Sequence, residues 1–141
     1  MGGLRCVAVA ILTWALVAPA QARSKSDRPV ESKHRAGPHD MEGWTLDFRN
    51  PGGPDSDLAF TLVLSRHDKV IRRIKGEPLI WQWIFWDGGR EVAYETGPLH
   101  FAMQCNLVDV ASGKLLQSVD CFHELPENPP QWLSALENRR Q

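Results

Sequence analysis

Eight consecutive residues, Leu79 to Trp86, are apolar except for Gln82. In an extended chain Ile80, Ile84 and Trp86 point to one side and Trp81, Trp83 and Phe85 to the other. A short run that is apolar on both faces reads as a strand covered on both faces. This one belongs in the middle of the fold, and the rest of the chain must supply its cover. If the sheet is only one layer deep, the second aromatic face is left as an exposed patch of the kind that marks partner sites.

The flanking sequence reads as more strands. Gly43 to Arg49 alternates Trp44, Leu46 and Phe48 with Thr45 and Asp47. Asn50 to Asp55 is dense in turn formers. Leu58, Phe60, Leu62 and Leu64 then alternate with Ala59, Thr61 and Val63. His67-Asp68 predicts a turn into a return strand, Lys69 to Lys75, and Gly76-Glu77-Pro78 ends it. Asp87-Gly88-Gly89-Arg90 predicts a tight hairpin turn into Glu91 to Thr96. Past Gly97-Pro98, Phe101, Met103, Cys105 and Leu107 share one face, and His100, Gln104 and Asn106 share the other. Ala111-Ser112-Gly113 is a three-residue loop into a last strand with Leu115, Val119 and Cys121. Asn128 and Pro129 then suit a helix start, and Trp132, Leu133 and Leu136 face one way.

The expected fold class is mainly β. It is a small antiparallel meander of six or seven strands, a blade-like sheet or small sandwich, with a short C-terminal helix over 129–138.

The start of the chain differs in character. Arg5 precedes an apolar run from Cys6 to Ala18, and small residues follow at Ala18, Ala20 and Ala22. This pattern reads as a signal peptide over 1–22, cut after Ala22. The run is short of the roughly 20 residues that a membrane span needs. Residues 23–42 carry Arg23, Lys25, Arg28, Lys33 and Arg35 and almost no apolar residue, so they read as a flexible basic leader. That places the folding part at 43–141 and the protein outside the cytoplasm, secreted or periplasmic, with no membrane span left after cleavage.

Of three cysteines, Cys6 leaves with the signal peptide. Cys105 and Cys121 are either a disulfide, favoured by export, or two buried thiols. A bridge closes a loop of about 16 residues and stabilises by roughly 3 kcal/mol. If Val110 pairs with Lys114, Cys105 faces Val119 and Cys121 faces Met103. The cysteines are then diagonal neighbours, and bridging them needs a bulge or a frayed end near Cys121.

One stretch, Trp83-Ile84-Phe85-Trp86-Asp87-Gly88-Gly89-Arg90-Glu91-Val92-Ala93-Tyr94, resembles the WD40-like (PD40) β-propeller repeat. Leu107-Val108-Asp109-Val110-Ala111-Ser112-Gly113-Lys114-Leu115 looks like that repeat's outer hairpin. The resemblance spans about 81–118 and makes a single copy, whereas a propeller needs about four blades. It implies a blade-like antiparallel meander and brings no activity with it.

Function is read mostly by exclusion. A formal net charge of −1 lacks the basic footprint of a nucleic-acid binder. No Gly-rich phosphate loop, nucleophile elbow, zinc-protease motif or calcium loop occurs. No cofactor is expected, no metal site is assigned and no catalytic residue is named. His34 and His39 are weak metal ligands at best, with nothing to fix their geometry. Cys121 and His123 have the spacing of one strand face, but a bridged cysteine offers no thiolate. The carboxylate pairs Asp109 with Asp120 and Glu91 with Glu95 read as exposed strand positions. What remains is binding: Trp81 and Trp83, with Trp86 and Tyr94, as a stacking platform, and His100, Gln104 and Asn106 as a polar patch. The expected role is a non-catalytic binding or interaction module for a protein, peptide or glycan. The alternative is a small hydrolase, or an inhibitor of an exported enzyme, using His100 or His123.

Overall fold

The computed structural model of the chain describes residues 28–49, 57–98, 102–123 and 125–140. The expected signal peptide, the loop at 50–55 and His100 lie outside the described residues.

Two antiparallel sheets and one helix form three layers. The first sheet contains β1 (Val30–Glu31), β2 (Arg35–Ala36), β3 (Met41–Phe48), β4 (Leu58–Arg66) and β5 (Lys69–Lys75). Both β1 and β2 pair with β3, and β4 and β5 follow on its other side. The second sheet contains β6 (Leu79–Trp86), β7 (Glu91–Gly97), β8 (Gln104–Asp109) and β9 (Leu115–Asp120), in chain order. The helix α1 (Gln131–Glu137) packs on that sheet and ends in a 3₁₀ turn, Asn138–Arg140. The mainly β meander with a C-terminal helix is therefore the observed architecture, in two sheets.

Each face of the second sheet has its own apolar core. Between the sheets lie Met41, Leu62, Leu64, Ile74, Ile80, Trp83, Val92, Tyr94, Val108 and Val110. Beneath the helix lie Ala93, Cys105, Leu107, Cys121, Trp132, Leu133 and Leu136. The all-apolar run of β6 thus sits in the middle layer, covered on both faces. Along the hydrogen-bonding direction, however, β6 is an edge strand.

Strand β6 also departs from simple alternation. Ile80 pairs with Thr96 and Gln82 with Glu95, so Trp81 is an extra residue in a bulge. One inserted residue reverses the parity of everything after it. Ile80 therefore joins Trp83 in the core between the sheets, with Phe85 packed against it, while Ile84 and Trp86 lie on the helix side. The expected grouping of Ile80 with Ile84 and Trp86 is corrected by this bulge.

The turns follow their residues. His67 and Asp68 both take positive φ, 48° and 60°, as a two-residue hairpin of the primed type requires. The 87–90 connection is wider than a tight turn, with a 3₁₀ step at Asp87–Gly89. The 110–114 loop is held by Asp109, whose Oδ1 accepts from the Ser112 amide and hydroxyl. Arg72 of β5 donates to the Val110 and Ala111 carbonyls, tying the first sheet to this loop.

Two boundaries differ from expectation. Residues 28–42 are not a tether: β1 and β2 pair with β3, and Met41 is 1% exposed. Backbone hydrogen bonds hold this polar segment, and apolar patterning does not report them. The Ser32 hydroxyl also accepts from the Thr45 amide at 2.8 Å. The helix starts later than 129. Its N-cap residue is Pro130, which offers no side-chain cap, and Asn128 is exposed.

Cys105 and Cys121 are bridged, with Cα atoms 5.8 Å apart. Cys105 faces Val119, as the simple register places it. A bulge between Leu107 and Val108 lies nearer the turn. Strand β9 ends at Asp120, but the Cys121 amide still donates to the Met103 carbonyl at 3.0 Å, so the bridge joins diagonal neighbours at the very end of the pairing.

Candidate functional site

Trp81, Trp83, Gln104 and Asn106 do not form one site. Trp83 is 3% exposed and belongs to the core between the sheets, so it offers no platform. Tyr94, at 8% exposed, belongs there too. Gln104 and Asn106 share one face as expected, opposite Thr96 and Tyr94 on β7. They line a cleft of about 480 Å³ with Arg72, Glu77 and Ser118. Burial holds the Tyr94 hydroxyl above its usual pKa, helped by nearby Glu77 and opposed by its hydrogen bond with Asn106. Asn106 is itself buried.

Trp81 is 38% exposed and lines a different and larger cleft, of about 660 Å³. The bulge sets its side chain apart from both cores. Its Nε1 donates to the Gly97 carbonyl at 3.0 Å, which fixes the indole and leaves a ring face for contact. Beside it, Gln82 Nε2 donates to Glu95 Oε2 at 2.9 Å. Glu95 is 1% exposed, contrary to its reading as an exposed strand position. Its strand, β7, is interior to the sheet, and its side chain lies on the helix side beside Cys105.

Two arginines complete this cleft. Arg35 comes from β2 and Arg139 from the turn after α1. Both guanidinium groups donate to the Trp83 carbonyl, at 3.4 and 3.3 Å. That carbonyl lies on β6, the free edge of the second sheet, and the arginines block that edge at this point. The Arg35 guanidinium also sits 5.0 Å from the centre of the Trp83 ring. Burial lowers the Arg35 pKa, and the neighbouring positive charge of Arg139 lowers it further. The cleft thus carries two adjacent positive groups, an exposed aromatic face and a buried, hydrogen-bonded carboxylate. Small-molecule sites combine an apolar surface with a few fixed polar groups in this way.

Part of this site is foreshadowed in the residue pattern. A lone polar residue in an apolar strand, Gln82, signals a polar partner inside the fold, and that partner is Glu95. Arg35 carried no signal, because it sits in the segment read as a leader. Arg139 lies past the apolar positions of the helix and looks like any terminal charge.

The remaining candidates lie elsewhere. His123 is exposed, with Nδ1 3.0 Å from Asp120 Oδ2. The amides of Phe122 and His123 donate to the same aspartate, and these bonds hold its pKa low. Cys121 is bridged, so it cannot serve His123 as a nucleophile. Asp109 is engaged in its turn, and the Ser112 bonds lower its pKa. Cys105, Cys121 and Glu137 cluster within 4.8 Å, but the disulfide occupies both sulfurs. His34 stacks on Trp44 at 4.2 Å and contacts Glu31 and Glu42. No helix among the described residues is long and apolar enough to cross a membrane. The chain matches no protein family model, no curated protein and no solved structure.

Proposed function

We propose that this protein is an exported, non-catalytic binding module whose ligand seats in the Trp81 cleft. The single observation that carries this reading is the exposed Trp81 face beside the Arg35–Arg139 pair, in a cleft of about 660 Å³. Export is supported by the basic start, apolar run and small residues of 1–22. A disulfide between Cys105 and Cys121 is compatible with an oxidising compartment. The four strands from Leu79 to Asp120, paired in chain order, support a blade-like relation to the WD40-like repeat. In this reading the blade serves as a scaffold, and its edge strand carries the site.

The test is capture by the mature protein of soluble peptides and glycans from its native extracytoplasmic fraction. Trp81→Ala removes capture and leaves the domain folded, with a lower urea midpoint from the lost indole contacts. Trp83→Ala instead unfolds the domain, at a cost of about 3–5 kcal/mol. Gln104→Ala retains capture. The reading fails if Trp81→Ala captures normally and Gln104→Ala does not.

A further inference from the structure

The Trp81 cleft lies along β6, at one edge of the second sheet, and β9 forms the opposite edge. An edge strand presents a row of unpaired backbone N–H and C=O groups, and native folds blunt such rows. Three of the four edges here are blunted. In the first sheet, β1 and β2 are two residues each. The other edge of that sheet, β5, is basic at Lys69, Arg72, Arg73 and Lys75, so two copies of it repel. At β6 the Trp83 carbonyl already accepts from Arg35 and Arg139. Strand β9 has no charge before Asp120, its last residue. Its bulge at Leu116 lies toward the turn, and 117–120 stay in regular register with β8.

Exposed apolar surface gathers at the same edge. Among the described residues eight large apolar side chains are exposed, and four of them, Leu115, Leu116, Phe122 and Leu125, lie on β9 or just after it. The two ends of the strand carry opposite charges. Lys114 stands just before it and Asp120 closes it, and both are exposed. Bonds from Phe122 and His123 hold the Asp120 pKa low and keep its charge. Two such strands side by side in antiparallel sense set the basic start of each along the acidic end of the other. The parallel sense sets like charge beside like. Antiparallel pairing about a two-fold axis also closes at two copies, whereas β9 on β5 would run head to tail without closing. We infer that β9 is an interface between two copies of this chain, which join edge to edge and antiparallel so that their second sheets become one. Leu115 and Leu116 of each copy are covered at the seam, and the Trp81 clefts stay open at the far edges. One short strand makes a small interface, below the roughly 1,200 Å² of a stable complex, so the dimer is transient.

The experiment is sedimentation velocity of the protein from about 10 µM to about 1 mM, the range of weak contacts, with hydrogen exchange at both limits. Salt is held at about 0.1 M, where exposed charges more than about 10 Å apart are screened. The sedimentation coefficient rises toward that of a dimer, and the amides of β9 gain protection that those of β5 and β6 do not. Leu116→Lys puts like charges at the seam and abolishes the rise, and Ile71→Lys on β5 does not. Lys114→Glu weakens the dimer by about fivefold, because the two-fold axis repeats the change on both sides. Asp120→Asn keeps an oxygen for the amides of Phe122 and His123. It weakens the wild-type dimer and strengthens that of Lys114→Glu. The two positions stand at opposite ends of one strand, so this reversal of sign requires contact between copies. A protein that stays monomeric through this range overturns the inference, as does growth past the dimer or protection at another edge. A dimer that Leu116→Lys leaves intact overturns it too, as does an Asp120→Asn change that weakens both backgrounds alike.

Discussion

Gly43 has no side chain, and the ring of Trp83 stands where one would be: a Cβ there would lie 2.4 Å from the indole. Trp83 is walled in between the sheets, so neither partner can yield cheaply. Gly43→Ala is expected to destabilise by about 1–3 kcal/mol, the usual range for overpacking, read as a lower urea midpoint. Gly88 is the useful comparison. It has φ +63° with nothing near its missing Cβ, so Gly88→Asn suits the turn and should stay near wild type. Asp47 makes a second prediction. Burial raises its pKa, opposed by a hydrogen bond from Thr45 and aided by the negative charge of Asp57. Its Oδ1 is buried without a hydrogen-bond partner among the described residues. A raised folded-state pKa means that the native state binds the proton more tightly than the unfolded chain. Stability from this group is therefore full below the unfolded pKa of about 3.9 and lost as pH rises through the folded value. Asp47→Asn should raise the urea midpoint at pH 7 and lose that advantage below the unfolded pKa. An advantage that persists unchanged in acid would show another cause. Neither environment is legible in the sequence, where Gly43 and Asp47 look like routine strand residues.

At the scale of elements, period and turn chemistry carry most of the information. The alternation of β4 and β8, and the turn residues at His67-Asp68 and Ala111 to Gly113, predict strands and hairpins close to those observed. What alternation cannot carry is a change of parity. The bulge at Trp81 is invisible in a run where both faces are apolar, because no polar residue marks the switch. For the same reason Trp81 and Trp83 look equivalent in sequence and differ completely in the fold. The polar segments are hidden in another way: β1 and β2 are held by pairing to β3, which composition does not report. This yields a prediction for the N-terminal segment. A chain beginning at Gly37 loses β1, β2 and the His34 ring stacked on Trp44. It should unfold at a lower urea concentration, with the NMR resonances of the Trp44 ring, which lose the stacked imidazole, shifted in the native state. An unchanged midpoint would mean that this pairing contributes nothing to stability.

For the whole molecule, the decisive arrangement is the middle sheet with a different cover on each face. The first sheet covers one side over a broad apolar area. The other side depends on a seven-residue helix, which presents Trp132, Leu133 and Leu136. So short a helix has little stability of its own, and packing must supply it. Its contact surface includes the Cys105–Cys121 bridge, which fixes the end of β9 against β8 just where the ladder stops. The bridge therefore acts on two layers: it restricts the unfolded chain, and it holds the platform that the helix needs. The paired cysteines were legible in the sequence as a plausible bridge; the helix resting on them was not. Removing the bridge by Cys105→Ala with Cys121→Ala should cost roughly 3 kcal/mol, the value for a loop of this length. The loss should be larger if the helix detaches, since three buried side chains lose their cover. Two readouts separate these outcomes. Urea unfolding gives the total. The NMR resonance of the Trp132 indole N–H, which donates to Gln117 at 2.8 Å, reports the helix alone. A dithiol reductant should bring wild type to the midpoint of the double variant and leave that variant unmoved. A loss under about 1 kcal/mol, with Trp132 still buried, would show that the second core holds the helix without the bridge.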